Sequence, residues 1–159
     1  MVRPIQIAVT FALMLFVGHG TSATEKVFDP SRDPGKDLLT AEALAKAQHK
    51  NILLDVGGNW CPWCILLDRT LHEDPELAAA MEFTFVVVHV NWSMDNQNHD
   101  FLSRYPKISG YPYFFVLSAT GKLLQAQPTD PLEADHKIED GYNHQAILDF
   151  MNQWHKPGL

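Results

Sequence analysis

The spacing of apolar residues along the chain predicts helices that alternate with strands. Residues 52–56 are an apolar run interrupted only by Asp55, and residues 83–91 are rich in valine and phenylalanine, as is typical of buried strands. Residues 113–117 and 123–126 predict an antiparallel hairpin that turns at Thr120 and Gly121. Helices are predicted at residues 38–49, with Thr40 as the N-cap, and at residues 64–71, 74–81, 98–105 and 144–154. This order indicates an α/β fold with a central mixed β-sheet flanked by helices.

The first 23 residues have the three-part pattern of a secretory signal peptide. Arg3 supplies positive charge, an apolar stretch follows, and Thr21-Ser22-Ala23 fits a small-residue cleavage site. We therefore predict an exported, periplasmic protein, with an uncleaved N-terminal membrane anchor as the alternative. Residues 24–37 are predicted to be an irregular lead-in, residues 38–159 one folded domain, and residues 127–140 a polar surface loop within it.

Charge and size limit the classes of function. The chain has 12 basic and 19 acidic residues, a formal net charge of −7, which argues against a nucleic-acid partner. A domain of this length buries enough surface to fold without a disulfide staple. The chain has two cysteines, and they need an explanation other than the stability of a small core.

The two cysteines lie where a predicted buried strand meets a predicted helix. At a helix start, unpaired N–H groups and the helix dipole favour a thiolate on the first sulfur. We therefore predict Cys61 as the exposed nucleophile and Cys64, one turn inside, as the buried resolving thiol. Pro62 suits the first turn because it lacks an N–H group. Exchange would run through a mixed disulfide at Cys61 that Cys64 resolves.

Three other uses of a closely spaced cysteine pair compete with this prediction. A structural disulfide would close only a short loop, which removes little chain entropy. A zinc site needs four ligands, so His72 or His89 would have to complete it. Covalent haem attachment requires histidine at position 65, where Ile65 stands, and is excluded. We predict no metal and no cofactor besides the cysteine pair.

Two segments resemble the thioredoxin superfamily. Residues 55–64, DVGGNWCPWC, resemble its active-site region, and Gly110-Tyr111-Pro112 resembles its second signature, a loop that ends in a cis-proline. Residues 64–71 and 74–77 are similar to the C-terminal thioredoxin-like domain of the bacterial transmembrane thiol:disulfide interchange protein and to small exported relatives. The resemblance covers residues 38–154 and implies a thioredoxin-like fold.

The resemblance implies roles for four further residues. Asp55 matches the buried acid that helps to deprotonate the resolving thiol, and Asp68 matches a second acid on the active-site helix. Trp60 matches the tryptophan beside the disulfide, and His89 stands where thioredoxin has a lysine paired with the buried acid. By their position alone, Asp55 also fits a residue facing water, Asp68 a solvated helix residue, and His89 an ordinary strand histidine.

The same resemblance implies a client-binding edge at Tyr111 and Pro112. Backbone next to the proline would pair with an extended client segment, and the side chains of Trp63 and Tyr113 would offer apolar contact around Cys61. The chain departs from the family in two places. Pro62 and Trp63 separate the cysteines, and Tyr113 follows the proline where threonine is usual.

Together these features predict an exported thiol–disulfide oxidoreductase. No histidine or lysine lies between the cysteines to hold a thiolate, so the reducing direction is favoured over that of strong oxidants. The predicted partners are proteins that contain cysteines and a redox partner protein, and the chain is predicted to be a monomer. Oxidase or isomerase action is the alternative within the enzyme class. A thioredoxin-fold module that binds clients without turnover is the alternative outside it.

Overall fold

The computed structural model describes residues 26–155 as one β-sheet with helices on both faces. The elements in chain order are α1 (Pro34–Gln48), β1 (Asn51–Gly57), α2 (Pro62–Glu73), α3 (Pro75–Thr84), β2 (Phe85–Asn91), α4 (His99–Leu102), β3 (Tyr113–Leu117), β4 (Leu123–Pro128), a 3-10 turn (Asp130–Leu132) and α5 (His144–Trp154). The strand order is β2-β1-β3-β4. β1 runs parallel to β2 and antiparallel to β3, and β3 runs antiparallel to β4. The predicted α/β fold with a mixed sheet is confirmed.

The sheet separates two apolar cores. Alternate residues of β1, Ile52, Leu54 and Val56, pack in the core that includes Ala41 and Ala45 of α1. The opposite face of the sheet packs against α2, α3 and α5, and its buried side chains include Leu53, Leu67, Leu77, Ile147, Phe150 and Met151. Because strand residues alternate between faces, Asp55 lies on the same side as Leu53, toward α2.

Helix α1 begins earlier than predicted. Asp33 is its N-cap, and the Asp33 carboxylate accepts hydrogen bonds from the backbone N–H groups of Gly35 and Lys36. Thr40 lies inside the helix, where its hydroxyl donates to the carbonyl of Lys36. The prediction of Thr40 as the N-cap is therefore wrong, because Asp33 followed by Pro34 provides a stronger start.

Other predicted bounds also differ from the structure. Residues 83 and 84 end α3, so β2 begins at Phe85, and α4 is confined to His99–Leu102. The predicted surface loop at residues 127–140 contains the 3-10 turn, whose Leu132 is buried in the core. The predicted lead-in contains Phe28, which is fully buried.

The predicted signal peptide, residues 1–23, lies outside the described residues, and the division of the chain at residues 23 and 37 stays a prediction. Between residues 26 and 155, no helix has both the length and the apolar character needed to cross a membrane.

Candidate active site

The two cysteines lie at the junction of β1 and α2. Cys61 is the N-cap of α2, and its sulfur accepts a hydrogen bond from the backbone N–H of Cys64 at 3.2 Å. Pro62 occupies the first turn, as predicted. Cys61 and Cys64 form a disulfide, with their Cα atoms 5.3 Å apart. The first sulfur thus sits where the N–H groups of a helix start point, which is the position that favours a thiolate after reduction.

The predicted exposure of Cys61 is wrong for the disulfide-bonded form. Cys61 is 4% exposed and Cys64 is 1% exposed. Both pack with Phe28, and Val27, Trp63 and Tyr111 lie against the same cluster. The covering residues come from distant parts of the chain, which the local pattern of a strand followed by a helix does not reveal. A thiol therefore reaches Cys61 only when neighbouring side chains move aside.

A buried acid and a histidine face each other across β1 and β2. Asp55 pairs in register with His89, and its Oδ2 lies 3.1 Å from His89 Nδ1. The Asp55 side chain is 5% exposed, and its Oδ1 has no hydrogen-bond partner among the described residues. One oxygen of Asp55 is thus held by His89, and the other is available to exchange a proton.

The acid lies close to the inner sulfur. Gly57 is two residues beyond Asp55 on the same face of β1, a step of about 6.6 Å along a strand. A Cβ atom at Gly57 would come within 2.8 Å of the Cys64 sulfur. The sulfur therefore occupies the space over Gly57, on the face of β1 that also carries the Asp55 side chain.

A cavity of about 300 Å³ extends from Asp55 toward α2 and α3. Asp68 and His72 line it together with Asp55 and His89, and Asp68 Oδ1 lies 3.2 Å from His72 Nδ1. Burial raises the pKa of Asp68 against the opposing charges of His72 and His89. The structure thus brings three predicted residues, Asp55, Asp68 and His89, to the lining of one cavity.

The pKa of His89 is raised by its partner. Burial by itself lowers the pKa, but the hydrogen bond and charge of Asp55, with the charge of Asp68, outweigh burial. The folded protein therefore binds the His89 proton more tightly than the unfolded chain does. The stability that this contributes is complete below the unfolded pKa, about 6.5, and is lost as the pH rises through the higher folded pKa.

We expect this loss to appear in a comparison of wild type with His89→Gln. The free energy of unfolding of wild type relative to the variant should fall as the pH rises above about 6.5 and through the higher folded pKa of His89. Chemical denaturation at several pH values measures it. His99→Gln, which removes an exposed histidine, serves as the control and should show no such trend. A constant difference for His89→Gln would contradict the pairing.

Three aromatic rings form a cluster beside the disulfide. Trp60 is 52% exposed, and its indole N–H donates to the carbonyl of Trp92 at 2.7 Å. The ring of Trp92 stacks on Tyr111 at 5.0 Å, and Trp60 meets Tyr111 edge-on at 5.8 Å. Sequence reasoning missed Trp92. The sequence does carry a signal for this residue, because Trp92 directly follows the predicted strand β2. The end of β2 lies beside the end of β1, where Gly57 pairs with Asn91.

The loop before β3 lies against the first sulfur. The Tyr111–Pro112 peptide bond is cis, and the Tyr111 carbonyl oxygen is 3.6 Å from the Cys61 sulfur. The Pro112 carbonyl accepts a hydrogen bond from the Thr129 hydroxyl at 2.8 Å, which fixes the loop. Tyr113 is buried in the core on the α1 side of the sheet. The predicted contact between the Tyr113 side chain and a client is therefore wrong.

Trp63 lies where the prediction placed it, half-buried against the disulfide cluster. Its carbonyl accepts a hydrogen bond from the Tyr142 hydroxyl, and the two rings meet edge-on at 5.3 Å. Tyr142 belongs to the segment just before α5, so this segment supports the start of α2.

Comparison with known protein families decides the class of fold. A family model described as thioredoxin-like matches residues 33–119. The chain belongs to the thioredoxin-like family. The match includes β1, the cysteine pair, β2 and the loop of Pro112, so the family accounts for the arrangement of the site.

Several solved thioredoxin-like structures are similar to this chain. A disulphide isomerase from Xylella fastidiosa Temecula1 has a TM-score of 0.68 at 28% identity, covering 82% of this chain and 98% of its own. The C-terminal domain of DsbD from Neisseria meningitidis, in its oxidised form, has a TM-score of 0.56 at 17% identity, with 77% and 96% covered. A thioredoxin from Thermus thermophilus has a TM-score of 0.52 at 20% identity, with 72% and 81% covered. A search of curated proteins gave no significant match.

The chain thus has a thioredoxin-like fold of the disulfide oxidoreductase type, with a closely spaced cysteine pair that forms a disulfide. Among residues 26–155, no group of three or more histidine, cysteine, aspartate or glutamate side chains is arranged to hold a metal ion.

Proposed function

We propose that this protein is an exported thiol–disulfide oxidoreductase that reduces disulfides in client proteins. The observation that carries the proposal is the Cys61–Cys64 disulfide at the start of α2, with the Cys61 sulfur accepting a backbone N–H at 3.2 Å. That hydrogen bond and the helix dipole stabilise a thiolate on Cys61 once the disulfide is reduced.

The proposed reaction transfers two electrons to the client. The Cys61 thiolate attacks a client disulfide, which forms a Cys61–client disulfide and releases one client thiolate. Cys64 then loses its proton and attacks the Cys61 sulfur, which forms the Cys61–Cys64 disulfide and releases the second client thiolate. Each released thiolate takes a proton from water. A partner protein with a dithiol returns two electrons and restores the reduced form.

The groups around the disulfide support this sequence. In this proposal the Oδ1 atom of Asp55, which has no hydrogen-bond partner among the described residues, takes the Cys64 proton, and His89 holds the other carboxylate oxygen. Exposed Trp60 offers an apolar contact to a client. The backbone at Tyr111, which lies 3.6 Å from the Cys61 sulfur, is placed to pair with an extended client segment.

Insulin reduction with a thiol donor tests the proposal. Wild type should accelerate precipitation of the insulin B chain, and Cys61→Ser should abolish the acceleration, because serine cannot form the mixed disulfide. Wild type without activity would overturn the proposal and favour a module that binds clients without turnover.

A specific observation favours disulfide isomerisation as the second candidate. The solved structure with a TM-score of 0.68 is titled a disulphide isomerase, and it is 28% identical to this chain. Isomerisation leaves the number of disulfides in the client unchanged, whereas reduction lowers it. A reductase therefore needs a more negative redox potential than an isomerase, so measuring the potential separates the two functions. A titration against glutathione should give a value near that of thioredoxin, about −270 mV, for a reductase. A value near −180 mV, together with reactivation of scrambled ribonuclease, would favour the isomerase.

A further inference from the structure

A short segment before α1 covers the disulfide. Residues 26–33 contain no regular strand or helix, yet Phe28 is fully buried. Phe28 forms one cluster with Cys61 and Cys64, and Val27 packs against it. The family match begins at residue 33, so this contact lies outside the part of the chain that defines the family.

The ring of Phe28 contacts the inner side of the redox centre. A Cβ atom at Gly57 would come within 2.8 Å of both the Cys64 sulfur and the Phe28 Cζ atom. Sulfur and ring therefore lie over the same Cα atom of β1. The ring also meets His89 edge-on, with the centroids 5.5 Å apart. Phe28 thus lies between the resolving sulfur and the histidine that holds the buried acid.

Side-chain amides hold the segment in place. Phe28 donates its backbone N–H to Asn59 Oδ1 at 3.2 Å, and Asn59 Nδ2 donates to the Phe28 carbonyl at 2.6 Å. Asn96 Nδ2 donates to the Pro30 carbonyl at 2.9 Å. Asn59 is exposed and stands two residues before Cys61. The side chain of Asn59 therefore fastens the segment to the loop that carries Cys61. These two hydrogen bonds are not part of the β-sheet, so they can break while the sheet stays intact.

We propose that residues 26–33 are a cover over the redox centre, with Phe28 as a positioning residue that keeps Cys64 dry and Asn59 as the fastening. The inference deepens the proposed oxidoreductase function and, for protein clients, rests on it. When a thiolate attacks Cys61, the Cys61–Cys64 bond breaks and its electron pair leaves on Cys64. An apolar ring beside that sulfur disfavours the leaving thiolate, because burial without polar partners disfavours charge. The cover therefore slows reduction by small thiols.

The rate at which dithiothreitol reduces the oxidised protein measures the cover. Two electrons pass from dithiothreitol, which closes to a cyclic disulfide, to the Cys61–Cys64 pair, which becomes two thiols. Phe28→Ala should be reduced about tenfold faster than wild type or more, because water can then solvate the leaving thiolate. Asn59→Ala should change the rate in the same direction by a smaller factor. Quenching with a thiol-specific mass label gives the rates.

Phe150→Ala is the matched control. Phe150 is a buried ring of the same size, and it stacks on Phe85 and Phe114 away from the disulfide. Its loss should lower the melting temperature as Phe28→Ala does but leave the reduction rate within about twofold of wild type. Phe28→Leu, which keeps an apolar side chain, should restore most of the slow rate.

The outcomes are decisive for the cover. A wild-type rate in Phe28→Ala, or an equal acceleration in Phe150→Ala, would overturn it. If Phe28→Ala does not fold, Asn59→Ala decides alone, and an unchanged rate there overturns the cover. Insulin turnover is measured in parallel. Faster reduction of Phe28→Ala without insulin turnover in wild type would support the cover and overturn the proposed function. Insulin turnover in wild type with an unchanged reduction rate in Phe28→Ala would support the proposed function and overturn the cover.

Discussion

Replacing Cys64 with serine is expected to convert the protein into a trap that holds its client through a disulfide to Cys61. Cys64 lies at the third position after the cap of α2, with its N–H bonded to the Cys61 sulfur, so it is oriented for intramolecular attack. Well-placed groups of this kind reach effective concentrations of about 10⁵ M or more. Without Cys64, resolution depends on external thiols, and turnover should fall by at least about 10³-fold. Non-reducing electrophoresis with a thiol-labelled client measures the complex.

Cys61→Ser is the control for this experiment, because it retains a thiol one turn inside the helix. We expect no complex from this variant, since Cys64 is 1% exposed and lies beneath Phe28. Equal trapping by both variants would contradict the assignment of Cys61 as the sulfur that meets the client.

Asp55→Asn is expected to slow resolution of the mixed disulfide by about 10²-fold at pH 7, the lower range for a lost proton transfer. The amide keeps the size of the side chain and can still accept from His89, but it cannot take a proton from Cys64. The defect should shrink above about pH 9, where a thiol ionises without help. Stopped-flow measurement of client release across this pH range gives the profile.

If Asp55 had only a structural role, its replacement would lower stability, and any slowing of client release would be independent of pH. Asp55 is a buried acid with one oxygen lacking a partner among the described residues. At a pH above the folded pKa of His89, where the pair with His89 no longer contributes stability, replacing Asp55 by a neutral amide should therefore maintain or raise the melting temperature. Slow release with undiminished stability therefore indicates proton transfer. Asp68→Asn tests the second acid. Asp68 lies farther along α2 than Cys64 does, so its replacement should slow client release less than Asp55→Asn does. A defect in Asp55→Asn that is independent of pH would contradict the role.

Most elements followed from local patterns. Helix α5 matches its predicted bounds, His144–Trp154, because apolar side chains recur there at helical spacing. Both Asp33-Pro34 and Asp74-Pro75 are caps followed by proline at the start of a helix. The second was recognised and the first was missed, because the apolar pattern begins only at Leu38, one turn into α1.

The site was predictable where the chain is locally ordered and not where distant segments meet. The strand–helix junction placed Cys61, Pro62 and Cys64 correctly. The burial of Cys61 was missed because Phe28 reaches it from 33 residues away in the sequence. Long-range packing of this kind leaves no periodic signal, so the sequence predicts only an irregular lead-in for this proline-rich segment.

Tyr113 shows a second limit of sequence reasoning. Resemblance placed it after the loop of Pro112, beside the client edge. In the structure it is the first residue of β3, as the strand pattern predicts, and its side chain points into the α1 core, where its ring lies 5.1 Å from Phe115. Because successive strand residues alternate between faces, one position decides whether a side chain meets a client or the core.

The most direct test of the account is the pH dependence of alkylation of the reduced protein by iodoacetamide, with each cysteine followed by mass spectrometry. Cys61 should be modified first, and its rate should reach half of the maximum well below about pH 8.5, the value for a free cysteine. Cys64 should react slowly throughout. Equal rates at the two cysteines, or a midpoint for Cys61 at or above about pH 8.5, would contradict the claim that the start of α2 activates the first sulfur.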